Sequence, residues 1–353
     1  MQIDRTLRAR GRLALREAVQ NHLFDPNVNL IDFGYPWHGG RLAENELAIR
    51  IHVKRKLVGA QLEAAVQARQ TRAIPASIGG FQTDVPEGSY HLHQWPGWAT
   101  TMADPRAERV DPLRGGISIS DEYHYAYGTL GGKVIDRATG DEMILSNWHV
   151  LVSEWWARPG QRIFQPGRLD GGTGQDTIAT LTRDAMSVNL DAAVATLTSG
   201  QAIVNDQLDL GSVTGVGSPE LGMQLVKSGR RTGITYGRVT AIEGVARLPY
   251  GSLQRVIRSV ITIDPRSSFE PVSGPGDSGA WWLDADTLQV VGLHFAGSEM
   301  PERGLALDMQ TVLDALSVDV ATERARAGTA VLAGRIFTAP LAQAENPAEL
   351  IPA

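Results

Sequence analysis

The 353-residue chain is longer than a usual single domain, and with 42% hydrophobic residues it can bury more than one core. A formal net charge of −6 with 20% charged residues gives no electrostatic footprint for nucleic acid or an anionic membrane. The absence of cysteine excludes disulfides, thiolate metal sites and a cysteine nucleophile, so any covalent catalysis falls to another side chain.

Arginines at positions 5, 8, 10, 12 and 16 interrupt the N-terminal apolar residues, unlike the core of a signal peptide. No run approaches the roughly 18 apolar residues of a membrane span. The chain therefore reads as soluble and cytoplasmic. Leu7, Leu15, Val19 and Leu23 recur at helical spacing and predict an amphipathic helix over 4–23. Its apolar stripe has no evident partner in its own small unit, which makes a homo-oligomer through this helix an expectation. Leu47, Ile49, Ile51 and Val53 alternate with Arg50, His52 and Lys54, the pattern of a strand with one wet face. A helix follows over 57–70, then a short strand near Phe81–Val85 among Pro75, Gly79, Gly80 and Pro86. These elements predict a small α/β domain within 1–110 that ends in a linker over about 91–113. His91 and His93 lie in that linker without a carboxylate at a metal-binding spacing, so they read as a solvated pair and no metal or other cofactor is expected.

From 114 onward short β-type runs recur between Gly-rich turns, among them "GISIS", "GKVID", "EMILS", "DAAVATL", "GRVTAIEG" and "LQVVGLHF". This spacing predicts antiparallel barrels or sandwiches rather than βαβ units, with too many strands for one small barrel. A closing helix is expected over 306–317 and a loosely attached tail over 321–353.

The stretch "PVSGPGDSGAWWLD", 271–284, places Asp277 and Ser278 between Gly276 and Gly279. Gly, Pro, Asp and Ser are ordinary turn formers, yet such glycines also bare backbone N–H groups that can face an oxyanion. A nucleophilic serine needs a base, and the base needs a carboxylate to orient it. His149 in "DEMILSNWHVLV" stands where a hydrophobic strand runs into a polar-aromatic corner. Asp191 in "SVNLDAAVATL" heads an apolar strand, where a buried carboxylate requires good donors.

The order His149, Asp191, Ser278 resembles the chymotrypsin-fold serine peptidases. "LSNWHVL" is similar to their histidine corner, "LDAAVATL" to their aspartate strand and "GDSGA" to their nucleophile loop. The likeness covers about 114–318 and is nearest to bacterial trypsin-like peptidases, with a fainter likeness to the plant narrow-leaf trypsin-like group. It implies a mainly β chain, a double β-barrel over 111–320 preceded by the small α/β N-terminal domain, acting as a serine endopeptidase on protein or peptide substrates. It also implies that the backbone N–H groups of Gly276 and Ser278 form an oxyanion hole. Ala280 and Trp148 depart from the usual residues beside the nucleophile and the histidine.

The resemblance further implies a P1 pocket bordered by Val272, His294 and Gly297. Val272 occupies the place of the aspartate that binds basic P1 side chains, and His294 that of a histidine that contacts acidic P1 side chains in glutamate-specific relatives. An acidic P1 preference is expected, against the alternative that His294 only packs and the pocket takes small apolar residues. The rival reading of the whole chain is a catalytically silent trypsin-like scaffold or an oligomeric binding protein. The runs "GGTGQD" and "GTLGG" lack the strand, glycine and helix context of a phosphate loop and read as turns.

Overall fold

The computed structural model describes residues 3–93, 104–267 and 270–322. Among them the strands form two large sheets. The first runs Gly128–Thr129, Ser118–Asp121, Arg162–Phe164, Thr177–Asp184, Ala193–Leu197, Glu142–Ser146, Gly132–Asp136 and Val318–Val320. Only Leu130 and Gly131 separate Gly128–Thr129 from Gly132–Asp136, so one stretch of chain borders both sides of the sheet and curls it into a barrel. The second runs Gln224–Gly229, Trp281–Asp284, Gln289–Glu299, Glu302–Asp308, Leu253–Pro265 and Gly233–Tyr250. It closes because Gly233–Tyr250 pairs back onto Gln224–Gly229. The mainly β double barrel of chymotrypsin type is thus the fold.

Period-two alternation divides the adjacent tryptophans between two environments. Trp281 packs over Gly131 and Gly132 of the first barrel, where a Cβ on either glycine would collide with the indole. Trp282 joins Leu225, Val239, Ile263 and Val272 inside the second barrel. Both are fully buried.

The helix Arg5–His22 begins at Asp4, whose carboxylate caps the N–H of Leu7 at 2.8 Å. Its Ala14, Leu15 and Ala18 pack on Ile31, Phe33, Ile49 and Ile51. Leu15 and Leu23 of the apolar stripe are covered by the chain's own sheet, and Leu7 and Val19 are partly buried against the same cluster. That sheet is not separate from the second barrel. The strand Val28–Gly34 pairs with the far end of Gly233–Tyr250, for example Leu30 with Ala246, and Ala48–Val53 and Phe81–Asp84 extend it outward. The hairpin strands Gly233–Tyr250 and Leu253–Pro265, of 18 and 13 residues, are long enough to serve the barrel and still offer this edge.

The expected wet face of Ala48–Val53 is absent: all six residues are buried, Arg50 and His52 included. A buried cation requires a paired, hydrogen-bonded anion. Arg50 grips Asp32 through two bonds of 2.6 and 2.7 Å, Thr262 donates to Asp32 at 2.6 Å, and the Tyr90 hydroxyl meets His52 Nδ1 at 2.7 Å. Burial alone would raise the Asp32 carboxyl, but Arg50 and His52 outweigh it and hold it well below the usual range. This network fastens the N-terminal strands to the second barrel.

The expected closing helix is Met309–Leu316, shorter than anticipated because the preceding strand continues to Asp308, which then caps it. No helix among the described residues is long and apolar enough to cross a membrane. The tail expected over 321–353 lies outside the described residues from 323 onward, as does 94–103 of the expected linker.

Candidate active site

The strand Glu142–Ser146 ends at Asn147, and one helical turn, Trp148–Leu151, sets His149 at the barrel junction. Asn147 Nδ2 donates to the backbone carbonyl of Asp191 at 2.7 Å, tying this corner to the head of Ala193–Leu197. Trp148 stacks on Trp155 with ring centroids 4.3 Å apart, which accommodates its departure from a small residue. His149 Nδ1 lies 2.5 Å from Asp191 Oδ2, and the His149 N–H donates to Oδ1 at 3.1 Å. Tyr250, at the end of the long second-barrel strand, donates its hydroxyl to Oδ2 at 2.7 Å. Burial, then the Asp191 charge, pushes the Tyr250 phenol well above its ordinary pKa, so it remains a donor. Asp191, itself fully buried, is thereby satisfied from both barrels. With Nδ1–H committed to the carboxylate, His149 Nε2 is the free acceptor nitrogen, and it has no hydrogen-bond partner among the described residues.

Ser278 sits in the turn ahead of Trp281–Asp284. Gly276 has φ +110°, and a Cβ there would collide with the Tyr127 ring, so the position demands glycine on both counts. Asp277 braces the turn. Its carboxylate accepts from Lys227 Nζ at 2.9 Å, from the Thr232 hydroxyl at 2.6 Å, and from the backbone N–H groups of Arg231, Thr232 and Gly274 at 2.9, 3.1 and 3.0 Å. Burial opposes its ionisation, yet Lys227 and Thr232 hold its pKa well below the usual range. The Ser278 hydroxyl donates to the Phe295 carbonyl at 3.2 Å rather than to His149. The structure thus joins His149 to Asp191 directly and leaves the serine one hydrogen bond short of them.

Val272, His294 and Gly297 gather around Gly304, with Gly297 paired opposite it. A Cβ on Gly304 would meet Val272 at 2.9 Å and His294 at 3.5 Å. The Val272 N–H donates to Glu302 at 2.5 Å. Trp282 Nε1–H donates to His294 Nδ1 at 3.3 Å, so the His294 proton resides on Nε2. That nitrogen faces His93 Nδ1 at 3.1 Å.

The solvated pair expected at His91 and His93 is half wrong: His91 is exposed, but His93 is buried at 5% exposure. The strand His91–Leu92 lies antiparallel on Gln289–Glu299, with Leu92 opposite Ala296 and His91 opposite Gly297. The His93 N–H donates to the Phe295 carbonyl at 3.2 Å, and the His93 carbonyl accepts the N–H of Gly276. Residues 91–93 thus lie in the cleft beside the serine, and one open cleft among the described residues lies elsewhere, flanked by Arg8, Arg12 and Glu243. Sequence reasoning missed three contributors, Tyr250, Lys227 and His93; only the recurrence of histidine at 91 and 93 offered any signal.

No family model matches the chain, and no curated protein matches it. Solved structures do. A chymotrypsin from Cellulomonas bogoriensis is 19% identical, covers 60% of this chain and 98% of its own, and superposes with a TM-score of 0.44. A Nocardiopsis protease is 18% identical over 60% of this chain and 99% of its own, at 0.46. A glutamic acid specific serine protease that utilizes a histidine triad in substrate binding is 17% identical over 59% of this chain and all of its own, at 0.46.

Proposed function

We propose that the chain is a serine endopeptidase in which Ser278 is the nucleophile, His149 the general base and Asp191 the carboxylate that orients it. The observation that carries this reading is the committed His149 to Asp191 bond, which leaves Nε2 bare at the junction that also holds Ser278. Rotation about the Ser278 Cα–Cβ bond moves its hydroxyl from Phe295 toward Nε2. Oγ then attacks the substrate carbonyl as Nε2 takes its proton, and Asp191 stabilises the imidazolium. Gly276 and Ser278 supply the backbone N–H groups for the oxyanion. Nε2 returns the proton to the leaving amine, and water releases the acyl group by the same route in reverse. Tyr250 supports the sequence by keeping a second donor on Asp191.

The P1 pocket has no carboxylate at Val272 for a basic side chain. Its fixed donor is His294 Nε2–H, so it favours P1 side chains that accept a hydrogen bond, acidic ones among them. One observation favours the silent-scaffold reading: the Ser278 hydroxyl rests on Phe295. The test is hydrolysis of a P1-varied peptide library by the wild type and by His93→Pro, whose missing N–H frees the cleft. Cleavage that is absent from Ser278→Ala, with the acceptor preference lost in His294→Ala, is the expected result. No cleavage by either active form overturns the enzyme reading, and a preference that survives His294→Ala overturns the pocket assignment.

A further inference from the structure

An antiparallel strand laid along Gln289–Glu299, with a carbonyl on the Gly276 N–H, is how a peptide substrate must lie to present a bond to Ser278. A main-chain ladder supplies register, and one side chain enters the pocket. Residues 91–93 meet each condition at once. His91 pairs with Gly297 and Leu92 with Ala296, and the His93 N–H reaches Phe295. The His93 carbonyl rests on the N–H of Gly276, and its imidazole bonds to His294 in the pocket. A Cβ on Gly297 would collide with the His93 ring, so the glycine leaves room for this side chain. A strand docked for structural reasons alone would need only the ladder, not its last carbonyl on the oxyanion donor.

We propose that the chain is its own substrate, cut in cis at the peptide bond on the C-terminal side of His93. This rests on the serine-endopeptidase reading. Ser278 Oγ bonds to the His93 carbonyl carbon while its proton passes to His149 Nε2. The carbon to nitrogen bond on the far side of His93 then breaks, and the new amine leaves with that proton. Water attacks the ester carbon as His149 takes one of its protons, the bond from that carbon to Oγ breaks, and His149 returns the proton to Oγ, leaving a His93 carboxylate and the free Ser278 hydroxyl. The N-terminal fragment remains bound, because Val28–Gly34 is paired into the second sheet and Arg50, Asp32 and Thr262 fasten it there.

The test is intact-mass spectrometry of the purified full-length chain over time, under denaturing and native conditions. The expected result is a fragment ending at His93 and a second beginning at Gln94, formed at a rate independent of protein concentration and held together in the native spectrum. In Ser278→Ala the cleavage falls by about 10⁴-fold or more. A wild-type chain that stays whole, while His93→Pro reacts at Ser278 with a fluorophosphonate, overturns self-cleavage and leaves the peptidase standing. A whole chain with no such reaction overturns both. A cut elsewhere, or one whose rate rises with concentration, also contradicts the proposal.

Discussion

Lys227 is a fully buried cation whose partner, Asp277, immediately precedes Ser278. Burial pulls the Lys227 pKa down, against the opposing pull of Asp277, so the pair persists only while both members are present. Removing one member leaves an uncompensated buried charge, which costs about 3–5 kcal/mol, whereas replacing both with neutral groups of similar shape costs far less. Lys227→Met is expected to lower stability by that amount in urea unfolding and to disorder the Gly276 turn. Adding Asp277→Asn should restore only part of the loss, because it removes the uncompensated charge but leaves the Gly274 N–H without its carboxylate acceptor. A stability change below about 1 kcal/mol in the single variant would show that the pair does not brace the loop. The sequence singled out His149, Asp191 and Ser278 because nucleophilic chemistry asks for those residue types in recognisable settings, and the structure brings His149 and Asp191 into direct contact. Lys227 sat in plain view in "KSGRRTG" with nothing local to assign it, since its partner lies 50 residues away.

The strand His91–Leu92 and the residue after it show how an element's role can hide from its own sequence. A segment of three residues has no usable periodicity, and the partner of His93 is 201 residues further along the chain. The same limit applied to Ala48–Val53, where alternation correctly predicted a strand but placed Arg50 and His52 in water. The second covering surface comes from Asp32, Tyr90 and Thr262, and their approach is a property of the sheet, not of the local pattern. The docked strand carries its own pH dependence. Burial first, with Lys227, His149 and His91, disfavours a proton on His93 against the pull of Asp277, and its pKa is pushed down to about 4. The undocked imidazole titrates near 6.5. Docking is therefore complete above about pH 6.5 and weakens as the pH falls toward 4, because only the undocked form takes up the proton in that window. Hydrogen-exchange protection of the His93 amide in Ser278→Ala, corrected for intrinsic rates, should be full at pH 7 and decline across the window. Constant protection down to pH 4 would refute this.

Across the molecule, three parts of the chain converge on one junction: the first barrel supplies His149 and Asp191, the second supplies Ser278, His294 and Tyr250, and the N-terminal segment supplies the strand that fills the cleft. The barrels were legible because short β runs with Gly-rich turns recur at regular spacing. The continuity of the N-terminal strands with the second sheet was not, because it depends on how far the Gly233–Tyr250 hairpin strand outruns its barrel. The convergence makes a single claim central: Ser278 is activated by His149 and Asp191. Reaction of the full-length chain and of His93→Pro with a fluorophosphonate, read by intact mass and peptide mapping, tests it most directly. One adduct per chain is expected, located at Ser278 and faster in His93→Pro, absent from Ser278→Ala and slowed by orders of magnitude in His149→Ala. No adduct in either active form, or one that persists without Ser278 or forms as fast without His149, would contradict it.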